Sequence, residues 1–189
     1  GDPVTHDDIE PFGALIHAAY IDYTTTVSEP AWAVSHETAS LLAWLCATRQ
    51  PDRVCDLGSG FSSYTLRRSC LDVTSVDTDP EWLARTYRFL DQWGLPTDQL
   101  VLWPDWSTGT DTYDLVFVDI AQGDLREEAM RPAVERLNRG GIVVFDDAQH
   151  DSHNQAMRQT ITDHGLDLID VRHLTLDGIG RYALAAIKE

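Results

Sequence analysis

The sequence predicts an α/β fold: a doubly wound sheet of seven strands, mostly parallel, finished by an antiparallel C-terminal hairpin and preceded by N-terminal helices. Three observations predict it. From residue 52 onward, short apolar runs alternate with longer stretches of helical period, the signature of parallel strands joined by crossover helices. The last two strand-like runs are separated by Asp177-Gly178-Ile179-Gly180, too little chain for a crossover, so they should pair antiparallel. The 189 residues, 43% apolar and 24% charged, suffice for one domain with a full core.

The elements follow in order. Asp7 to Ile21 places Ile9, Phe12, Leu15, Ile16 and Ala19 at helical spacing. Residues 23–31 lack periodicity and read as a loop. Ser35 is a suitable N-cap for a helix through Ala47. The expected strands are Arg53–Asp56, Asp72–Asp77, Leu100–Trp103, Leu115–Asp119, Ile142–Asp146, Leu168–Leu176 and Arg181–Ile187. Helices are expected near 62–69, 80–93, 124–138 and 152–164. Asp79-Pro80 is a start signal, since Asp caps and Pro fits the first turn. Asn138-Arg139-Gly140-Gly141 reads as a stop. The helix near 124–138 is rich in charge, so it is expected on the surface, with no special part for Arg126.

Charge limits the partners. With 14 Lys+Arg against 31 Asp+Glu, the net charge is -17, which disfavours nucleic acid as a partner. No apolar run approaches the roughly 20 residues of a membrane helix, so no membrane partner is expected. Gly1-Asp2-Pro3 shows neither a basic flank nor an apolar stretch, and a cytoplasmic location is expected. Cys46, Cys55 and Cys70 have no metal-binding spacing and are expected as buried free thiols.

Ligands of open α/β sheets bind beyond the carboxyl ends of the strands, and here those ends are acidic. The first strand runs into Asp56-Leu57-Gly58-Ser59-Gly60-Phe61-Ser62-Ser63. Its glycines permit a tight turn and close ligand approach, and the following helix offers free N–H groups. Asp77 ends the second strand, with Thr78 beside it, where a carboxylate can accept from a ribose diol. Asp105-Trp106 follows the third strand, Asp119 ends the fourth, and Asp146-Asp147 end the fifth.

Four of these segments together resemble class I S-adenosylmethionine-dependent methyltransferases. They are Val54-Cys55-Asp56-Leu57-Gly58-Ser59-Gly60, Ser75-Val76-Asp77-Thr78-Asp79-Pro80, Tyr113–Asp119 and Leu137–Asp147. They stand in the order and spacing of that family, across residues 52–187. The resemblance implies a Rossmann-like core over 51–189, with residues 1–50 as a helical cap or lid, one domain overall. It implies that Asp56, Gly58, Ser59, Gly60 and Ser63 line the methionine part of S-adenosylmethionine. Asp77 and Thr78 would hold the ribose, Asp105 and Trp106 would border the adenine, and Asp119 would complete the cofactor site. A nicotinamide dinucleotide is the competing ligand, but its third glycine is replaced by Ser63.

The implied reaction is methyl transfer to a small or medium-sized acceptor at oxygen, nearest to catechol-like O-methyltransferases. Such enzymes hold a divalent cation with an Asp after the fourth strand and an Asp-Asn pair after the fifth. Asp119, Asp146 and Asp147 are the corresponding candidates for Mg2+ or another divalent cation. Asp147 stands where that group has Asn, and the Lys typical of its fourth-strand motif is missing. A side-chain base, His150 or His153, is therefore the other route. Asp119, Asp146 and His150 are the candidate catalytic residues. Tyr20, Tyr23, Trp32 and the loop around them are expected over the acceptor; Trp44, Trp82, Trp93 and Trp103 are expected to be structural. A small-molecule acceptor is the expected partner, and a homodimer through the N-terminal helices is left open. The alternative is a regulatory protein that binds S-adenosylmethionine or S-adenosylhomocysteine without methyl transfer.

Overall fold

The structure, a computed structural model, describes residues 2–189. The elements are α1 (His6–Thr26), α2 (His36–Arg49), β1 (Val54–Leu57), α3 (Phe61–Ser69), β2 (Val73–Asp77), α4 (Pro80–Gln92), β3 (Leu100–Leu102) and α5 (Trp103–Ser107). They continue as β4 (Tyr113–Val118), α6 (Asp124–Glu135), β5 (Leu137–Phe145), α7 (Asp151–Asp163), β6 (Asp167–Ile169), α8 (Arg172–Thr175) and β7 (Leu184–Ile187).

The seven strands form one sheet in the order β3-β2-β1-β4-β5-β7-β6. All neighbours are parallel except β7, which runs antiparallel to both β5 and β6. The chain winds outward from β1 in one direction and restarts at β4 in the other. The β1/β4 seam is thus the switch point, where the strand ends diverge and leave a crevice. One sheet face carries α1 to α4 and α8 through a core that includes Ile16, Leu41, Leu42, Phe61, Phe89, Leu115 and Val144. The other carries α6 and α7 on Val116, Val118, Met130, Val143 and Phe145. The N-terminal helices therefore share in the core on that face of the sheet.

Local signals explain most boundaries. The Ser35 hydroxyl accepts from the Thr38 N–H at 3.0 Å, the N-cap expected of it. Asp79 caps α4 through the Glu81 N–H at 2.9 Å, with Pro80 in the first turn.

Four boundaries differ from expectation. Helix α1 continues through the segment read as a loop, to Thr26. There the hydroxyls of Thr24, Thr25 and Thr26 donate to carbonyls four residues back, at 2.8, 2.6 and 2.8 Å, which ties β-branched residues into a helix. Trp103 leaves β3 and opens α5. The segment Asn138–Gly141 lies within β5, not in a helix stop. It is held there by neighbours far away in sequence: Lys188 Nζ donates to the Leu137 carbonyl and Arg49 donates to the Gly140 carbonyl. The run Leu168–Leu176 is a short strand followed by α8. Asp170 accepts from the Arg172 N–H at 3.0 Å, and Thr175 both donates to the Val171 carbonyl and accepts from the Ala183 N–H.

The three cysteines are free and buried. No helix among the described residues is long and apolar enough to cross a membrane.

Candidate active site

The crevice at the switch point is a cavity of about 910 Å³. Its floor is the loop after β1 and the ends of β2, β4 and β5; its roof is the segment Val27–Val34 between α1 and α2. Gly58, Ser59, Gly60, Asp77, Asp119, Asp146, Asp147 and His150 line it. Side chains from strand ends far apart in sequence thus face one space.

The glycine loop is braced from behind. Asp56 is fully buried and accepts from the hydroxyls of Ser62 (2.8 Å), Ser75 (3.1 Å) and Ser63. Burial pushes its pKa up to about 6, against the pull of those three donors. Ser63 in turn accepts from the Gly60 N–H at 3.1 Å. Asp56 and Ser63, expected to line the cofactor, lie beneath the loop instead, because the hydroxyl donors of α3 and β2 turn the carboxylate inward.

Gly58 carries φ +104, and a Cβ there would meet the Asp119 carbonyl at 2.6 Å. The loop therefore passes directly against the end of β4. Asp77 is also committed to this loop. One of its oxygens accepts from the Ser59 N–H and hydroxyl, each at 3.0 Å, and the other from the Thr78 N–H at 2.8 Å. Burial raises its pKa against those bonds. The amides of Gly58, Ser59 and Gly60 are spent on Val76, Asp77 and Ser63. The free donors at this end are the N–H groups of Phe61 and Ser62 at the start of α3, since the Ser63 N–H already donates to the Gly60 carbonyl. Thr78 is exposed and does not line the cavity.

The adenine candidates are elsewhere. Trp106 is 3% exposed, stacked on Trp103 and Tyr113, with its N–H donated to the Tyr113 hydroxyl and the Arg136 guanidinium 3.9 Å from its ring centre. Both faces are occupied, so the indole is core. Asp105 is exposed on α5 and also outside the cavity. Trp82, expected to be structural, does line the cavity. Its indole N–H donates to the Ser59 carbonyl at 2.6 Å, and Arg85 lies over its ring. Its position three residues into α4 was the available signal, since a helix that starts at a strand's carboxyl end points its first turn at the crevice.

The opposite end of the cavity is a cluster of charge. Oxygens of Asp119, Asp146 and Asp147 all lie within 4.8 Å of one another. Burial and the Asp146 charge push the Asp119 pKa well up; burial and Asp147 push Asp146 up to about 7. For Asp147 burial works upward too, but Arg126 and Gln149 outweigh it and hold the pKa below its ordinary value.

Arg126 is the residue that the sequence reading passed over. Its side chain is 2% exposed and bridges Asp119 and Asp147 at 3.0 Å each. The same guanidinium donates to the carbonyls of Ile120 (2.7 Å), Ala121 (2.7 Å) and Asp119 (3.1 Å). Ala121 and Asp147 both hold left-handed backbone, φ +50 and +62, a strained conformation that the bridge keeps in place.

The three carboxylates supply hard oxygens of the right kind for a divalent cation. The set is already committed, however: Arg126 takes one oxygen each of Asp119 and Asp147, and Gln149 donates to the other oxygen of Asp147. Only Asp146 takes no side-chain donor; its partner is the Asp147 backbone N–H. A fixed guanidinium inside the cage makes a poor fit for a second cation.

His150 sits exposed at the N-cap of α7, on the cavity rim. His153 lies behind it, 7% exposed, their rings 5.5 Å apart. Burial lowers the pKa of His153. The roof is tied down by Arg181, which pairs with Asp177 at 2.6 Å and donates to the carbonyls of Ala33 (2.8 Å) and Ala31 (3.2 Å). Trp32, 70% exposed, projects from this tied segment, and the Tyr23 ring, 2% exposed, lies beneath it. The Tyr23 hydroxyl approaches Gly60.

No protein-family profile and no curated protein sequence matches the chain. Solved structures do. The cofactor-bound Rv0187 from MTB is 24% identical over 100% of both chains, with a TM-score of 0.70. The O-methyltransferase TomG from Streptomyces achromogenes, involved in tomaymycin synthesis and solved with SAM, is 20% identical over 94% of this chain and 89% of its own, TM-score 0.65. The SAH-bound methyltransferase PaMTH1 from Podospora anserina is 14% identical over 100% and 99%, TM-score 0.69. The fold is therefore the class I methyltransferase fold: a seven-stranded, mostly parallel sheet with one antiparallel strand inserted next to its edge.

Proposed function

We propose that this chain transfers a methyl group from S-adenosylmethionine to an oxygen atom of a small or medium-sized acceptor. One observation carries the reading. A single cavity joins a glycine loop suited to the cofactor with a partly buried cluster of carboxylates suited to a hydroxyl acceptor, under a tied-down roof. The net charge of -17 supports a small-molecule acceptor over a nucleic acid.

Each residue takes its part from its place. Gly58, Ser59 and Gly60 give the methionine end its backbone wall, and the Phe61 and Ser62 amides at the start of α3 face its carboxylate. Asp77 fixes that wall through Ser59 and borders the ribose; Trp82 and Arg85 border the same end. When bound, S-adenosylmethionine supplies an electrophilic methyl group on a sulfonium centre. The Asp146 carboxylate, once ionised, favours a cation there. The roof residues Trp32 to Val34 exclude water and hold the acceptor oxygen in line with the methyl carbon.

The acceptor's proton goes to a base. Asp146 fits best, since a carboxyl raised to about 7 is both ionised and basic enough near neutral pH. Asp119 lies beside it, and His150 is the rim alternative. Turnover is expected to rise with pH through about 7, as Asp146 loses its proton. In Asp146→Asn the rate should drop about a hundredfold and that rise should vanish. A rise that persists in the variant would move the base to Asp119 or His150.

Asp77→Ala is expected to weaken S-adenosylhomocysteine binding about tenfold and to lower the melting temperature by a few degrees, because the Ser59 N–H and hydroxyl lose their acceptor. Calorimetric titration and a thermal melt check both. The function itself is tested in two steps. Titration with S-adenosylmethionine and S-adenosylhomocysteine should give saturable binding. A panel of phenols, catechols and aliphatic alcohols, scored by S-adenosylhomocysteine release, should then yield turnover. Absence of binding removes the reading; binding without release across oxygen, nitrogen and sulfur acceptors leaves a cofactor-binding protein.

A further inference from the structure

The carboxylate cluster at the ends of β4 and β5 meets a cation supplied by the chain itself. Three acids gathered within 4.8 Å repel one another in a place with little water. Such a group persists only if it is protonated, coordinated to a metal, or paired with a buried base. Arg126 reaches it from the first turn of α6. Its guanidinium is charged at any pH the protein meets, it is 2% exposed, and each of its nitrogens has an acceptor. Nε donates to the Ile120 carbonyl, one terminal nitrogen to Asp119 and the Ala121 carbonyl, and the other to Asp147 and, at 3.5 Å, the Asp146 carbonyl.

We infer that the Arg126 guanidinium is the resident cation of this site, and that methyl transfer here proceeds without a divalent metal. This rests on the methyl-transfer reading above. Counting oxygens supports it. Of the six carboxylate oxygens, two are taken by Arg126 and one by the Gln149 amide. No side chain claims the remaining oxygen of Asp119 or the two of Asp146, and the Asp146 carboxyl also accepts from the Asp147 backbone N–H. A divalent cation seeks about six hard oxygens, and it would have to settle beside a fixed positive charge that holds the same carboxylates. The left-handed backbone of Asp147, φ +62, fits a carboxylate turned to meet α6.

Arg126 is thus a positioning residue. It fixes Asp119 and Asp147 and leaves Asp146 as the carboxylate that no side chain claims, open to the acceptor. No electron or group passes through it. The methyl carbon gains a bond to the acceptor oxygen and loses its bond to sulfur, the bonding pair stays on sulfur, and the acceptor's proton passes to Asp146.

The test uses the full chain and Mn2+ or Mg2+ as the probe. For the wild-type protein, millimolar Mn2+ should shift the melting temperature by less than about 1 °C and leave the free-Mn2+ paramagnetic resonance signal undiminished. Turnover, once an acceptor is found, should agree within about twofold between EDTA and Mg2+. In Arg126→Gln the cage loses its cation while keeping its acids. Mn2+ should then bind saturably and raise the melting temperature by several degrees, and Arg126→Lys should suppress that response. A merely structural arginine would lower stability without creating a metal site.

Saturable Mn2+ binding by the wild type, abolished in Asp146→Asn, would overturn the inference. So would loss of turnover in EDTA that Mg2+ restores, or an Arg126→Gln protein that folds and ignores Mn2+. If Arg126→Gln does not fold, the wild-type resonance and melting measurements decide alone. Failure of the methyl-transfer reading is distinguishable, since it appears as absent S-adenosylhomocysteine binding, whereas the Mn2+ measurements report on the cluster in the ligand-free chain.

Discussion

Gly58→Ala is expected to cost about 3 kcal/mol of stability and to abolish cofactor binding. Two physical terms add. At φ +104 an L side chain sits in a left-handed backbone region that costs about 1–2 kcal/mol. The new methyl would also lie 2.6 Å from the Asp119 carbonyl and 2.8 Å from the Ile120 nitrogen. Both are backbone atoms at the end of a central strand, so neither can swing aside, and overpacking of this kind costs about 1–3 kcal/mol. In a chain of this length that amounts to roughly 6–12 °C in melting temperature. The loop can relieve the clash only by moving off β4, which carries Ser59 away from Asp77 and closes the methionine end of the cavity. A variant that melts within about 2 °C of wild type and binds S-adenosylhomocysteine normally would contradict the close approach on which the site is built.

Arg126→Ala is the second large effect, and its size should depend on pH. Removing one partner of a buried ion pair typically costs about 3–5 kcal/mol, because the other charge stays buried without compensation. Here two carboxylates lose their partner at once. Both can escape by binding protons, so their folded-state pKa values rise above the unfolded value near 4. For an acid whose folded pKa is raised, the folded state holds more protons than the unfolded state between the two values. Stability then falls as pH rises through that window. The deficit of the variant should therefore be small near pH 5 and complete near pH 8. Denaturant melts of both proteins at the two pH values measure it, and an equal deficit at both would contradict the charge argument. The wild type should show a weaker trend of the same sign between about pH 4 and 7, since Asp146 and Asp56 are raised to about 7 and about 6 by burial.

Much of the architecture is legible in the chain itself. The alternation of short apolar runs with helical stretches marks parallel strands because a strand buried on both faces reads as a near-continuous apolar run, as Leu115–Val118 does. Caps such as Ser35 and Asp79 act on amides two or three residues away, so they too are visible. The acidic strand ends lie at one edge of the sheet by topology alone, which is why Asp77, Asp119, Asp146 and Asp147 meet in one cavity.

The side chains that decide the chemistry of that cavity required the packed structure. Arg126 appears in sequence as one charge among several on an acidic surface helix. It is buried because its acceptors, on Asp119, Ile120, Ala121 and Asp147, come together only when β4 and β5 align. Trp106 and Trp82 exchange their expected parts for the same reason. An indole cannot be assigned to a pocket or a core until both of its faces have neighbours, and Arg136 and Trp103 claim Trp106. Backbone periodicity is a local property of the chain, but the burial of a charge is settled by partners distant along it, and only tertiary packing brings those together.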